Sequence, residues 1–270
     1  NKDLANEYGK ICGNYSLWSN LTIFWGCGTN LHRSPYNSRN HEYYSEDAVL
    51  TSGQAVAFIS GGKEYGVIIA PKHLAFNDTE INRLGVSVFM TEQQARENEL
   101  RGTQASIEDA GALGVMTAFN RVGITAANAH TGLLKNILRG EWGFKGLESQ
   151  DFIMNPNYAV LKEYALNGGT MTTFTGENTM AAVSEKFAYW TTENVGQDTE
   201  LMSAIKQAMT WQAYALANSN ALDGMASSTR LVSVRTWYDN ALVAVQVVFA
   251  ALTVLAAAMY VLNDRKSKKQ

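Results

Sequence analysis

The sequence predicts an α/β chain: part of a (β/α)8 TIM-type barrel, incomplete at its N-terminus and followed by a single transmembrane helix. Three observations carry this expectation. Short apolar runs with glycine nearby alternate with stretches of helical periodicity. Four of those runs end in polar and aromatic side chains, and such strand ends are where enzymes built on parallel sheets keep their chemistry. Near the C-terminus, residues 241–262 form an uncharged run long enough to cross a bilayer.

In chain order, residues 2–9 already read as helix, and the helical period extends over 4–13. There is no initiator methionine and no signal peptide, so the protein was processed or the chain is part of a longer one. The run 21–25 reads as the first strand. It leads into Asn30-Leu-His-Arg-Ser-Pro-Tyr-Asn-Ser-Arg39-Asn-His-Glu-Tyr-Tyr-Ser-Glu-Asp47, a loop dense in charge and rings. Helical periods follow at 47–60, 91–109, 131–140, 157–167 and 198–217. Between them, strands are expected at 65–71, 115–119, 146–149 and 170–175. They are short and nearly continuous in apolar residues, as strands buried on both faces should be. That makes five strands. A complete barrel needs eight, and the others are expected before Asn1. Residues 177–197 are polar and aperiodic and read as a long loop. The small, polar stretch 223–233 reads as a linker.

The 270 residues suffice for one large barrel or two small domains. A net charge of −3, with no basic stripe, zinc-finger spacing or phosphate loop, argues against a general nucleic-acid binder. Cys12 and Cys27 sit on different elements without metal-ligand neighbours, and read as buried free thiols rather than a disulfide. No histidine pair has the helical i, i+4 spacing of a zinc site.

Trp237 and Tyr238 lie just before the apolar run, where an aromatic belt would sit, and Arg265, Lys266, Lys268 and Lys269 follow it. The positive-inside rule then puts the C-terminus in the cytoplasm and the preceding domain outside the cell membrane, although Arg230 and Arg235 on the other flank weaken the asymmetry. The alternative is a buried core helix. The expected organisation is a barrel part at 1–222, a linker at 223–239, a transmembrane helix at 240–263 and a basic tail at 264–270.

Asp151 closes Gly146-Leu-Glu-Ser-Gln-Asp151-Phe152. It could be a nucleophile, a metal ligand or an acceptor for substrate hydroxyls; the plainer reading is a helix cap. Lys72 and His73 end Gly66-Val-Ile-Ile-Ala-Pro-Lys72-His73. Neighbours on a regular strand face opposite ways, so both meet one ligand only if the strand ends or bulges there. Arg39 and Arg83 either bind sugar hydroxyls or pair with Glu42, Glu46 and Glu80. Glu42, Glu46 and Asp47 read as structural partners. Glu148 lies inside a strand, where a carboxylate is costly unless paired or facing out. This mixture suits carbohydrate, with Trp25, Tyr36, Phe119 and Phe152 available for the apolar face of a sugar. Retaining glycosidases need two carboxyl groups, a nucleophile and an acid/base, roughly 5–5.5 Å apart.

The motifs resemble glycoside hydrolase family 3, the β-glucosidase family. The resemblance rests on the 30–47 block, on Lys72-His73-Leu-Ala-Phe-Asn77-Asp-Thr-Glu80-Ile-Asn-Arg83, on Met116-Thr-Ala-Phe-Asn120-Arg121 and on Leu138-Arg-Gly-Glu-Trp-Gly-Phe-Lys-Gly146. It runs from about Asn1 to Met225. It implies a retaining exo-β-glycosidase acting on a β-linked oligosaccharide or glycoside, without metal or organic cofactor. Asp151 would be the nucleophile, kept ionised by the cations of the pocket. Arg39, Lys72, His73 and Arg83 would hold hydroxyls in subsite −1. Phe152 aligns with a position that is usually tryptophan, and Phe119 with one that is often tyrosine. The stretch after Lys72-His73 favours the branch whose acid/base glutamate sits on a separate α/β sandwich domain, expected upstream here. Ser38 replaces a glycine, Leu74 a phenylalanine, and Glu148-Ser149-Gln150 a mostly apolar run. That run puts polar groups in a buried strand, and on it rests the alternative, a catalytically degenerate, membrane-anchored barrel that binds glycans.

Overall fold

The computed structural model describes residues 1–152, 160–173, 190–223 and 235–268. It divides into two compact units, Asn1–Asp223 and Gly224–Gln270.

The first unit opens with helix α1, Lys2–Trp18, started by Asn1, whose side chain accepts from the amides of Asp3 and Leu4. Strand β1, Ile23–Gly28, follows, then helix α2, Ala48–Lys63, whose N-cap Asp47 accepts from the Leu50 amide. The further strands are β2 (Ile68–Leu74), β3 (Ser87–Val88), β4 (Gly114–Thr117), β5 (Arg121–Val122), β6 (Thr125–Ala126) and β7 (Leu147–Gln150). β1, β2, β4 and β7 form a parallel sheet in that order. Helical segments link each strand to its neighbour, as parallel pairing requires. β3, β5 and β6 make a small separate sheet.

The sheet is packed on both faces. Ile69, with Phe58, Ile59, Cys12 and Cys27, joins the cluster under α1 and α2, whereas its neighbour Ile68 joins Leu147 and Ala215. Successive strand residues point to opposite faces, so adjacent isoleucines serve two clusters. A third cluster, with Leu74, Val115, Leu134, Leu138 and Tyr164, covers the far half. α1 and α2 approach so closely that a Cβ on Gly9 would stand 2.0 Å from the Phe58 carbonyl oxygen.

Several expectations are corrected. Among the described residues the main sheet has four strands, one fewer than expected, and does not close, so a parallel β/α sheet is shown and a closed barrel is not. Of the strand expected at 170–175, Met171 makes an isolated parallel bridge to Ser149, and 174–175 lie outside the described residues. The helix expected at 91–109 is three pieces, Glu92–Gln94, the π-helical Ala95–Glu99 and Arg101–Glu108, and Gly132–Glu141 is also π-helical. Periodicity of apolar residues does not separate these helix types over so few turns. Within the expected loop 177–197, Thr192–Gln197 is a helix, because Thr191 caps it by accepting from the Asn194 amide. Residues 174–189 and most of the expected linker, 224–234, lie outside the described residues. Cys12 and Cys27 are buried free thiols.

The second unit holds one helix, Trp237–Ser267, which takes in the end of the expected linker and the start of the expected tail. Its segment Trp237–Leu262 is long and apolar enough to cross a membrane, and none of its apolar window is buried.

Candidate active site

The loop after β1 is tied to the end of β2 by Asn30, whose amide donates to the His73 carbonyl at 3.0 Å and accepts from the His73 amide at 2.8 Å. Lys72 pairs with Met116 and Leu74 with Thr117, so β2 gains a residue relative to β4 at this point. That irregularity resolves the problem of adjacent side chains facing opposite ways. Lys72 reaches the Glu42 carboxylate, and the His73 ring reaches Asp151 and Tyr43.

His73 Nε2 lies 3.6 Å from Asp151 Oδ2, with both side chains buried. His73 Nδ1 lies 3.1 Å from the Tyr43 hydroxyl. The Asn77 amide donates to that hydroxyl at 2.9 Å and to Glu80 Oε1 at 3.1 Å. Glu80 also holds Arg83, at 2.9 and 3.1 Å from its two oxygens, and accepts from Arg39 at 3.5 Å. Glu42 takes Arg39 through Nε and Lys72 at 3.2 Å. Two carboxylates thus hold three cations, all partly buried, with the Arg83 guanidinium 4.2 Å over the Phe119 ring. Behind them, Arg33 joins the two loops by pairing with Asp78 and with Glu99. An open cleft of about 810 Å³, lined by Glu80, Asn82, Arg83 and Leu84, adjoins the group.

Burial sets the protonation pattern. His73 is held well below its usual range by burial, reinforced by Arg39, Lys72 and Arg83, so its ring is neutral at pH 7. At Asp151 burial and the cations pull in opposite directions. Burial pushes its carboxyl up and outweighs the Phe152 amide, which donates to Oδ1 at 2.8 Å, and the pull of Arg83, Arg39 and Lys72. In Glu42 the balance reverses: burial pushes up, but Arg39 and Lys72 hold it below the ordinary value.

Asp151, Arg39, Lys72, His73, Arg83 and Phe119 therefore meet around one centre. Phe152 follows Asp151 and is 46 % exposed. Tyr36 points away at 90 % exposure, and Trp25 packs on the cluster of Ile68, Leu147 and Ala215. Glu42 and Glu80 are the ion-pair partners expected of them, whereas Glu46 takes the Ser45 hydroxyl and Asp47 caps α2. Sequence reasoning missed Asn30, Tyr43 and Asn77. All three lie in the motif blocks, but an amide or a phenol in a polar loop carries no signal of its own.

Glu148 lies beneath the site on β7, fully buried, and among the described residues neither carboxylate oxygen has a partner in good hydrogen-bonding geometry. Burial pushes its carboxyl up to about 7, against the pull of Tyr164, Arg139 and Thr117.

Known proteins resemble this chain. The chain is 34 % identical to a β-glucosidase of Rhizobium radiobacter over 150 residues, 56 % of this chain and 18 % of that protein. It is 35 % identical to β-glucosidase BoGH3A of Bacteroides ovatus over 149 residues, 55 % of this chain and 20 % of that one. The structure of β-glucosidase 3B from Thermotoga neapolitana in complex with α-D-glucose superposes with a TM-score of 0.74 at 26 % identity, over 83 % of this chain and 31 % of that one. The chain thus spans a fifth or less of the length of these curated relatives. Residues 1–183 match the N-terminal domain of glycosyl hydrolase family 3, and the chain belongs to that family.

Proposed function

We propose that the chain is the barrel part of a retaining exo-β-glycosidase of β-glucosidase type. Asp151 attacks the anomeric carbon and forms a glycosyl-enzyme ester that water then hydrolyses. Arg39, Lys72, His73 and Arg83 hold the hydroxyls of the terminal sugar, and Phe119 and Phe152 flank its apolar face. The acid/base glutamate belongs to an α/β sandwich domain outside these residues, and further β/α units complete the barrel. The apolar helix anchors the protein in the cell membrane, with the catalytic part outside and the basic tail in the cytoplasm. The observation that carries this reading is the buried Asp151 beside neutral His73, at the ends of parallel strands and ringed by cations on two carboxylates. General acid catalysis is typically worth about 10²–10⁴-fold, so the 270-residue piece alone should turn over little substrate.

The test is covalent trapping. A 2-fluoro-β-glucoside should add one sugar to Asp151 in the longer protein, read by peptide mass, and Asp151→Ala should abolish the adduct. A folded parent protein that stays unlabelled would sink the enzyme reading. One observation favours the alternative of a degenerate glycan-binding barrel: the fully buried Glu148 carboxyl in the strand that delivers Asp151. Under that reading, sugar binds without turnover or adduct.

A further inference from the structure

The orientation of each hydrogen bond behind His73 follows from the chain of donors that begins at Glu80. Glu80 Oε1 accepts only, so the Asn77 side-chain atom 3.1 Å away is the amide nitrogen and not its oxygen. The second hydrogen of that nitrogen is directed at the Tyr43 hydroxyl at 2.9 Å, whose oxygen accepts it. The hydroxyl keeps its own hydrogen, because burial pushes the phenol up. Among the described residues the remaining partner of that hydroxyl is His73 Nδ1 at 3.1 Å. If Nδ1 also carried a hydrogen, the Tyr43 hydrogen would be left buried without an acceptor, a loss that costs free energy.

We infer that Asn77 and Tyr43 form a tautomer lock on His73, leaving Nδ1 bare and fixing the ring hydrogen on Nε2, the nitrogen that faces Asp151. The reciprocal bonds between Asn30 and the His73 backbone hold the residue in place, so the lock decides only which nitrogen donates. At 3.6 Å the Nε2–Asp151 contact is too long for a good hydrogen bond, so the donor is available to an oxygen placed beside the carboxylate. Tyr43 and Asn77 are then positioning residues: they present His73 as a donor to a ligand hydroxyl. That consequence rests on the glycosidase reading; the tautomer itself does not.

Nitrogen NMR of the full chain in detergent, with 15N-labelled histidine, tests the lock. His73→Gln identifies the resonance. The wild type should show an unprotonated Nδ1 and a protonated Nε2. Tyr43→Phe removes the donor to Nδ1 and should give a mixture of tautomers. Asn77→Asp reverses the chain, because the new carboxylate takes the Tyr43 hydrogen and the phenol oxygen then accepts from Nδ1–H. A protonated Nδ1 in the wild type overturns the lock, as does either variant leaving the pattern unchanged. In the longer protein Tyr43→Phe should also lower kcat/KM by about tenfold. A wild type with the stated tautomer but no turnover would refute the glycosidase reading and leave the lock standing.

Discussion

His73 and Asp151 face each other across 3.6 Å, a neutral ring against a buried carboxylate, delivered by strands that do not pair with each other. β4 lies between them, and both parallel registers must hold for the contact to exist.

Replacing Asp151 by Asn keeps the shape of the side chain and removes the proposed nucleophile. In the longer protein, turnover of an aryl β-glucoside should fall by roughly 10⁴-fold or more, while ligand affinity changes far less. Steady-state kinetics beside calorimetric titration with glucose separates the two effects. A variant with near-normal turnover would move the nucleophile elsewhere.

Glu42 holds both Arg39 and Lys72, so Glu42→Gln should loosen two of the proposed sugar-binding cations at once. Charge-assisted hydrogen bonds are worth about 1.5–3 kcal/mol, hence a loss in kcat/KM of about 10–100-fold, mostly through KM. The folded-state pKa of Glu42 is lowered, so its stabilising contribution is present at neutral pH. It is lost as acid protonates the carboxyl below its ordinary range. Wild-type unfolding curves should steepen in their acid dependence there, and those of Glu42→Gln should be flatter.

Glu148 acts with the opposite sign. Its folded-state carboxyl sits at about 7 against 4.5 for the ordinary group, so the unfolded chain loses its proton first. Stability therefore falls as pH rises from about 4.5 through about 7, by about 3 kcal/mol. Glu99, also pushed up to about 7 by burial, adds in the same sense. Glu148→Met, of similar volume, should raise the urea midpoint at pH 8 and leave it nearly unchanged at pH 4. An equal effect at both pH values would mean that the carboxyl is not the cause.

Gly9→Ala places a methyl group where the Phe58 carbonyl stands, forcing α1 and α2 apart. Overpacking of this kind costs about 1–3 kcal/mol. Thermal unfolding of the variant should show a clear fall in midpoint. No change would mean that the helices separate freely.

Burial raises both thiols, Cys27 to about 11 and Cys12 by less. Thiolate is the reactive form, so neither should react quickly with a disulfide reagent at pH 8 in the native protein, and both should react on unfolding. A fast native reaction at either site would show that it opens.

The sequence by itself determined the alternation of strands and helices, because buried parallel strands require short apolar runs and their helices a 3.6-residue period. It also determined which strand ends carry Asp151, Lys72 with His73, and Phe119, and offered carboxylate pairing of Arg39 and Arg83 as one of two alternatives. The uncharged run before the basic tail was equally legible, since length and composition alone fix it. The tertiary structure decided the rest. Trp25 belongs to the core and Tyr36 to solvent, since the pleat and the turn of the loop choose the face. Lys72 and His73 both find partners because β2 gains a residue against β4. Tyr43 meets His73 across 30 positions of sequence, and burial acts on Asp151 against the pull of the cations. These outcomes depend on distances between loops and on the water excluded around them, and no local pattern of residues encodes either.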